Sequence, residues 1–307
     1  MHFDGILFFP VTPFTDAGAV AEDALAEHVA AGLAHRPGGV FAACGTGEIH
    51  ALSGAEHARV VRVAVETAAG RAPVIAGAGG SVATAVEQAA AARDAGADGV
   101  LLLPPYLVNA PQRGLVDYVR TVAEAVPIPV IAYQRGTMVF TPDTAAEVAA
   151  LPGVVGIKDG VGDLDRMARI VAAVRARRGP EFTFFNGLPT AELTVRAYQG
   201  VGVHLYSSAA FAFVPEIATA FYRAVREGDP LADTLLDVFY QPLVRLRDRA
   251  PGYAVSLVKA GVRLRGGAAG GVRPPFTDPT EAEVAELSAI IDAGLAAVKD
   301  LPLTAPC

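Results

Sequence analysis

The sequence predicts an α/β fold, a (β/α)8 TIM barrel with a C-terminal helical extension. Short runs of Val, Ile, Leu and Phe alternate with alanine-rich segments of helical spacing, and eight such pairs precede residue 226. The runs are apolar throughout, which is typical of parallel strands covered on both faces. No G-x-G-x-x-G motif follows the first strand, so an open doubly wound sheet is the weaker alternative.

The elements follow one another without a linker. The predicted strands span residues 5–9, 39–43, 73–77, 99–103, 129–133, 154–158, 182–186 and 202–207. The predicted helices between them span residues 22–35, 55–69, 82–95, 112–125, 142–149, 163–177, 189–198 and 211–226. Ser53 with Glu56 predicts a capping box, and Thr141 before Pro142 predicts a helix start. Gly96 and Gly200 lie where helices should end.

After residue 226 the strands stop and only helical patterns continue. They span about residues 231–247, 253–264 and 280–298. We therefore predict a barrel domain over residues 1–226 and a helical extension over 227–307. We expect the extension to pack on the barrel as a wall of the site or as an oligomer contact.

Composition narrows the class of protein. Of the 307 residues 52% are hydrophobic, which supports a large core, and the net charge of −7 argues against a nucleic-acid partner. Two cysteines, Cys44 and Cys307, make no disulfide framework. The first residues lack the pattern of a signal peptide, and no apolar run is long enough for a bilayer. We expect a soluble cytoplasmic protein with no membrane contact.

Lys158 is the main candidate for covalent chemistry. It is one of only three lysines, and it ends the predicted sixth strand. Burial lowers the pKa of a lysine and leaves more of the free amine, the form that attacks a carbonyl. The alternative is a structural lysine that reaches solvent or pairs with Asp159. The sequence leaves open whether Asp159 tunes Lys158 or caps the next turn.

Other polar residues finish neighbouring strands, where the site of such a barrel lies. Tyr133 ends the fifth strand, and its phenol can move protons; the alternative is an aromatic plug bonded to the backbone. Arg135 is a candidate carboxylate clamp or a salt bridge on the rim. Further candidate substrate contacts are Asn186, Ser207 and Ser208.

A glycine-rich turn follows the second strand. In Gly45-Thr46-Gly47, consecutive backbone N–H groups and one hydroxyl can converge on a carboxylate. An ordinary strand-to-helix turn would also favour glycine. Glu48 either orients this turn or faces solvent.

Together these residues resemble the dihydrodipicolinate synthase/N-acetylneuraminate lyase family of Schiff-base barrel enzymes, over essentially the whole chain. The segments that carry the resemblance are Phe9-Pro10-Val11-Thr12-Pro13-Phe14, Gly45-Thr46-Gly47-Glu48, Tyr133 and Gly156-Ile157-Lys158-Asp159. The resemblance implies that Lys158 forms an imine with a 2-oxo acid and that Tyr133 handles protons. It implies that the Gly45–Thr46 turn holds the adjacent carboxylate. It also implies no cofactor, no metal and a homotetramer built from dimers.

Within the family the chain is most similar to decarboxylating dehydratases of sugar diacids. The matching segments are Tyr133-Gln134-Arg135, Lys158 to Asp163, Gly187 to Glu192, Tyr206 to Ala209 and Val272-Arg273-Pro274-Pro275. The implied reaction converts a six-carbon keto-diacid to 2,5-dioxopentanoate, carbon dioxide and water, with Arg135 and Ser207 or Ser208 at the distal carboxylate and hydroxyls. Gly45 and Leu107 depart from the synthase pattern of two threonines and a second tyrosine. Cys44, Ile49, His50 and Gln134 depart from the usual dehydratase pattern.

Three alternatives stay open. An aldolase of the same family would use Lys158 and Tyr133 but release pyruvate. A non-catalytic barrel would bind a keto acid without turnover. A metal-dependent aldolase is disfavoured because the six histidines show no ligand pairing at strand ends. Of these histidines, His50 is expected near the barrel mouth, and His204 is expected inside a strand.

Overall fold

Eight apolar segments pair as parallel strands and close into a barrel in chain order, with β8 returning to β1. This architecture is that of a computed structural model, which describes residues 3–299. Met1, His2 and the last eight residues of the predicted extension lie outside the described residues. The strands are β1 (Leu7–Phe8), β2 (Gly39–Ala42), β3 (Val74–Gly80), β4 (Gly99–Pro105), β5 (Val130–Gln134), β6 (Val154–Asp159), β7 (Thr183–Asn186) and β8 (Leu205–Ser208).

One helix follows each strand, as a barrel of this type requires. The helices are α1 (Glu22–Leu33), α2 (Gly54–Ala68), α3 (Val82–Asp94), α4 (Gln112–Ala125), α5 (Pro142–Ala150), α6 (Leu164–Arg178), α7 (Val195–Gly200) and α8 (Pro215–Glu227). The predicted α/β barrel is therefore confirmed. The predicted starts also hold: Ser53 and Glu56 form the capping box of α2, and Thr141 caps α5 ahead of Pro142.

Several predicted elements begin later than the sequence indicates, among them β1, α8, β8 and the helix predicted over residues 189–198. The segment predicted as a helix over residues 189–198 is a 3-10 turn, Ala191–Thr194, followed by α7. Thr190 has a left-handed backbone (φ 52°), so a regular helix cannot pass through it. Strand β8 begins at Leu205, and His204 is exposed just before it, so the prediction of an interior His204 was wrong.

The C-terminal extension is helical, as predicted. It consists of α9 (Leu231–Leu235), a π-helical segment (Leu236–Tyr240), α10 (Gln241–Arg247), α11 (Tyr253–Leu264) and α12 (Glu281–Val298). Pro242 lies in the first turn of α10 and has no N–H to donate, which accounts for the widened turn before it. The exact boundary between residues 226 and 227 stays a prediction. Within residues 3–299, no helix is long and apolar enough to cross a membrane.

The extension lies directly on the barrel helices. Gly294 of α12 comes so close to α8 and to the π-helical segment that an added Cβ would lie 2.5 Å from Ile217 Cδ1 and 2.9 Å from Phe239 Cδ2. A side chain at this position would therefore force α12 away from α8. Packing at this density makes barrel and extension share one apolar core.

A second, smaller apolar cluster fills the barrel interior. Its members are Phe3, Leu7, Phe9, Phe41, Cys44, Ile75, Leu101, Ile131, Tyr133 and Phe185. Bulky side chains from alternate strand positions fill such interiors and leave no pore. Because this layer closes the barrel below, polar groups at the strand ends meet in a pocket that is open only on one side.

Candidate active site

Lys158 lies on β6 with its side chain buried among aromatic rings. Its Nζ is 4.1 Å from the centroid of the Phe9 ring and 4.6 Å from that of Tyr133. No carboxylate within residues 3–299 forms an ion pair with it, and the residue is 5% exposed. Burial lowers the pKa of Lys158 to about 7, and the charge of Arg135 acts in the same direction, against an opposing effect of Cys44. Lys158 neither reaches solvent nor pairs with Asp159.

Asp159 points away from Lys158 and caps the turn that follows β6. Its carboxylate accepts hydrogen bonds from Gln134 Nε2 (2.7 Å), Val161 N (3.1 Å) and Gly162 N (3.3 Å), and from the Tyr198 hydroxyl. These donors hold the loop between β6 and α6 in place. The structure therefore answers the question that the sequence left open in favour of the cap.

Tyr133 is the register partner of Lys158 across the β5–β6 ladder. Its hydroxyl donates to the Gly187 carbonyl (2.8 Å), and Arg135 Nη1 lies 3.5 Å from the same oxygen. Burial raises the pKa of Tyr133, and the charge of Arg135 partly opposes this. The phenol is thus neutral near pH 7 and is held beside the lysine by its hydrogen bond to the Gly187 carbonyl.

Gly187 lets the loop after β7 lie on the lysine side chain. A Cβ at this position would be 2.5 Å from Lys158 Cε and 2.8 Å from Lys158 Cγ. Every other amino acid would displace the lysine, so this glycine fixes the path of the amine.

The Gly45–Gly47 turn presents unused donors. Glu48 N closes the turn on the Gly45 carbonyl (3.1 Å), and Thr12 Oγ1 donates to the Gly47 carbonyl (2.7 Å). In the part of the chain that the structure describes, the Thr46 N–H, the Gly47 N–H and the Thr46 hydroxyl bond to no protein group. Gly45 and Thr46 line the cavity, whereas Gly47, also predicted to bind substrate, is not part of its wall. This arrangement can hold a carboxylate.

Glu48 is buried and anchors the same turn to the extension. Its carboxylate pairs with Lys259 Nζ (2.6 Å), with both side chains fully buried, and accepts from Arg273 N (2.9 Å). Lys259 also donates to the Gly271 carbonyl (2.7 Å). The sequence left the role of Glu48 open, because its partners lie far along the chain.

The strand-end residues border one cavity of about 480 Å³. Of the sequence-predicted residues, those on its wall are Lys158, Tyr133, Gly45, Thr46, Arg135 and Ser207. Cys44, Ile49 and His50, three of the departures from the dehydratase pattern, also line it. Burial raises the pKa of Cys44 to about 12, so its thiol is neutral.

Asn186 and Ser208 do not face this cavity. Successive strand residues point to opposite faces, and both positions turn toward the helices. Asn186 Nδ2 donates to Thr194 Oγ1 (2.8 Å), and Ser208 Oγ donates to Glu192 Oε1 (2.6 Å). Gln134 likewise binds Asp159 and is buried outside the cavity. These side chains stabilise the loops around the site.

The extension forms one wall of the site, which is one of the two roles expected for it, but the sequence indicated none of the residues involved. The extension contributes Leu243, Arg247, Val255, Val258 and Phe276 to the cavity. Phe276 packs edge-on against His50, with ring centroids 4.6 Å apart. The change from alternating strands to helices after residue 226 was the only sequence signal of this wall. Within residues 3–299, no three His, Cys, Asp or Glu side chains come together as a metal site.

Comparison with known proteins identifies the family of this chain. A model of the dihydrodipicolinate synthetase family matches residues 2–294. The chain belongs to this family. Among solved structures, dihydrodipicolinate synthase from Oceanobacillus iheyensis matches with a TM-score of 0.85 at 28% identity, over 94% of this chain and 96% of that one. The lysine-bound enzyme from Cyanidioschyzon merolae matches with a TM-score of 0.84 at 27% identity, over 96% and 99%.

Curated relatives are more similar in sequence. A protein of Streptomyces griseus subsp. griseus named probable 5-dehydro-4-deoxyglucarate dehydratase is 56% identical over 294 residues, which cover 95% of this chain and 92% of that protein. A protein of Bradyrhizobium sp. with the same name is 46% identical over 291 residues, covering 94% and 91%. The family predicted from the sequence is confirmed.

Proposed function

We propose that this protein is a 5-dehydro-4-deoxyglucarate dehydratase, a lyase that works through a Schiff base on Lys158. The observation that carries the proposal is the unpaired, buried Lys158 amine beside the Tyr133 phenol on one cavity wall. The names of relatives up to 56% identical support the choice of substrate. The products would be 2,5-dioxopentanoate, carbon dioxide and water.

The first step is imine formation. With a pKa of about 7, a large share of Lys158 is free amine at neutral pH. The amine adds to the keto carbon, a carbinolamine forms, and loss of water gives the protonated imine. Tyr133 can exchange protons with the carbinolamine, because its hydroxyl is held next to the lysine by Gly187.

The imine then drives dehydration and decarboxylation. It withdraws electrons from the neighbouring CH2, and loss of a proton gives an enamine. The enamine expels the β-hydroxyl as water and leaves a conjugated iminium ion. The bond to the distal carboxylate breaks, its electron pair enters that conjugated system, and carbon dioxide leaves. Protonation and hydrolysis release the product and restore the Lys158 amine.

The remaining wall residues would bind the substrate. We assign the carboxylate next to the imine to the Gly45–Gly47 turn, whose Thr46 and Gly47 donors are otherwise unused. Arg135 and Ser207 face the same cavity and are proposed contacts for substrate oxygens near the phenol. No cofactor is assigned, since the lysine supplies the electron sink.

Borohydride reduction with 5-dehydro-4-deoxyglucarate, and separately with pyruvate, tests the proposal, followed by peptide mass mapping. We expect a substrate-sized adduct on Lys158, with carbon dioxide released in an unreduced control. Lys158→Ala should lose both adduct and turnover while keeping its circular dichroism spectrum. An adduct at another residue, or trapping by the variant, would contradict the assignment.

An aldolase of the same family is the second candidate. Cys44, Ile49 and His50 border the cavity and depart from the usual dehydratase pattern. This departure is the observation that favours the aldolase as an alternative. The aldolase would share the imine but release pyruvate. A product assay for pyruvate against carbon dioxide separates the two.

Assembly and location remain proposals. We propose a homotetramer of two dimers, in keeping with the family resemblance. An exposed apolar segment after β4 supports a contact between copies, since Tyr106 is 74% and Leu107 79% exposed. Sedimentation equilibrium measures the assembly. We also propose a cytoplasmic location, which fractionation of the producing cells would test.

A further inference from the structure

A second arginine, supplied by the C-terminal extension, lies on the wall of the catalytic cavity. Arg247 is the last residue of α10 and borders the same cavity as Lys158 and Arg135. Its Nη1 donates to Thr190 Oγ1 (2.8 Å), and its Nε donates to Asp248 Oδ1 (2.7 Å). Within the described residues, its Nη2 contacts no protein acceptor. The guanidinium is therefore held in place with donor capacity to spare.

The loop after β7 contacts both Arg247 and Lys158. Gly187 packs on Lys158, and Thr190, three residues further on, binds Arg247. Three residues of chain span at most about 11 Å. Arg247 and Lys158 thus contact two points of one short loop, and both line the same cavity.

Arg135 occupies the other end of this arrangement. Its Nη1 is 3.5 Å from the Tyr133 hydroxyl, and its charge lowers the pKa of both Tyr133 and Lys158. Those contacts place Arg135 beside the phenol, at the Lys158 end of the cavity. They leave Arg247 as the cation that the far end of an extended substrate would meet.

The charged side chains that line the cavity favour the binding of a substrate with two negative charges. Glu192 is the one carboxylate that borders the cavity among the described residues, and it accepts a hydrogen bond from Ser208 on its outer side. Asp248, the partner of Arg247, is 60% exposed at its side chain, so water screens that pair. A guanidinium with free N–H groups binds a carboxylate through two parallel hydrogen bonds.

We propose that Arg247 binds the distal carboxylate of the keto-diacid, so that the extension selects diacids over monoacids of the same length. The identity of the natural substrate rests on the proposed function. The interaction of Arg247 with a carboxylate requires only that a keto acid enter the cavity and form the imine.

The proposal has a kinetic signature. In decarboxylation the distal carboxylate loses its negative charge and leaves as carbon dioxide. Arg247 therefore stabilises the bound substrate more than the transition state for that step. Loss of the arginine should therefore raise KM and leave kcat unchanged or higher. A residue needed only for folding would lower kcat and affinity alike.

Two simple keto acids test the selection without the dehydratase reaction. 2-Oxoadipate has six carbons and a distal carboxylate, and 2-oxohexanoate has the same length without it. Half-saturation for borohydride trapping on Lys158 gives an apparent affinity for each. We expect the parent protein to prefer 2-oxoadipate by about 10- to 100-fold, the range of one charge-assisted hydrogen-bonded pair.

Arg247→Gln should abolish this preference, and Arg247→Lys should restore part of it. Arg135→Gln is the matched control, since it removes a guanidinium from the same cavity, and it should keep the preference. Equal affinities in the parent protein, or a preference that survives in Arg247→Gln, would overturn the proposal. A preference lost only in Arg135→Gln would also overturn it. Turnover of 5-dehydro-4-deoxyglucarate by the parent protein, measured separately, tests the proposed function alone.

Discussion

Tyr133 and Lys158 are register partners on β5 and β6, and the Lys158 Nζ lies 4.6 Å from the centroid of the phenol ring. Neighbouring parallel strands keep such partners at the same level of the barrel. The Lys158 amine and the Tyr133 phenol therefore share one desolvated volume. This arrangement is the main structural reason for proposing imine chemistry in the cavity.

Tyr133→Phe should separate proton transfer from imine formation. The ring stays packed against Lys158, but the hydroxyl and its bond to Gly187 are lost. We expect kcat to fall by roughly 10²- to 10⁴-fold, the usual contribution of a general acid or base. Trapping of pyruvate on Lys158 should persist, at a reduced rate. An unchanged kcat would remove Tyr133 from the mechanism.

The pH dependence of kcat/KM should reflect the lysine. Burial lowers the pKa of Lys158 to about 7, so protonation removes the nucleophile below that value. We expect kcat/KM to fall about tenfold per pH unit on the acid side of a midpoint near 7. Steady-state rates in buffers of constant ionic strength measure it. An activity that stays flat to about pH 5 would argue against a free amine as the attacking group.

Lys158 should also lower the stability of the fold. Its pKa is about 7 in the folded protein and 10.5 for an ordinary lysine side chain, so between these values the unfolded state binds more protons. Stability therefore rises with pH through this window, and the full penalty is present below about pH 7. Lys158→Met should be more stable than the parent at about pH 6, by on the order of 2–4 kcal/mol. Urea unfolding at two pH values checks this, and the difference should shrink toward pH 10.

Gly187→Ala should damage activity through the position of the lysine. The added Cβ would lie 2.5 Å from Lys158 Cε, so the amine must move. Gly200→Ala is the control, since an added Cβ there meets nothing within 4 Å. We expect at least about a 100-fold loss of kcat in the first variant, as small misplacements of reacting groups have effects of this size. The control should keep parental kinetics.

The buried pair of Glu48 and Lys259 should be sensitive to loss of one partner. Glu48→Gln leaves the Lys259 charge buried without its counterion. We expect a loss of about 3–5 kcal/mol in unfolding free energy, with a higher KM because the Thr46 turn loosens. The double variant Glu48→Gln with Lys259→Met should recover much of the stability. If the single variant unfolds like the parent, the pair does not hold the turn.

Local patterns explain why the barrel and its central pair were predictable. Strand and helix periodicities depend on near neighbours, and the end of a strand can be read from the sequence, so the positions of Lys158 and Tyr133 on neighbouring strands were predictable. Asn186 and Ser208 were assigned to the cavity because strand ends alone do not reveal the direction of a side chain. A shift of one residue moves a side chain to the opposite face.

Contacts between distant segments could not be predicted in the same way. Arg247, Phe276 and Lys259 reach the site only because the extension folds back over the barrel mouth. Nothing in their immediate sequence indicates a partner. The kind of packing that brings them there depends on the whole core, so only the structure reveals it.

The way the extension completes the cavity has a consequence for how this protein is made. Lys158 and Tyr133 leave the ribosome well before Arg247, which lines the far wall of the cavity, and before Lys259 and Arg273, which hold Glu48. A growing chain therefore carries the Lys158 amine before the extension has completed the wall of the cavity. We therefore expect activity to begin only after the extension has docked on the barrel.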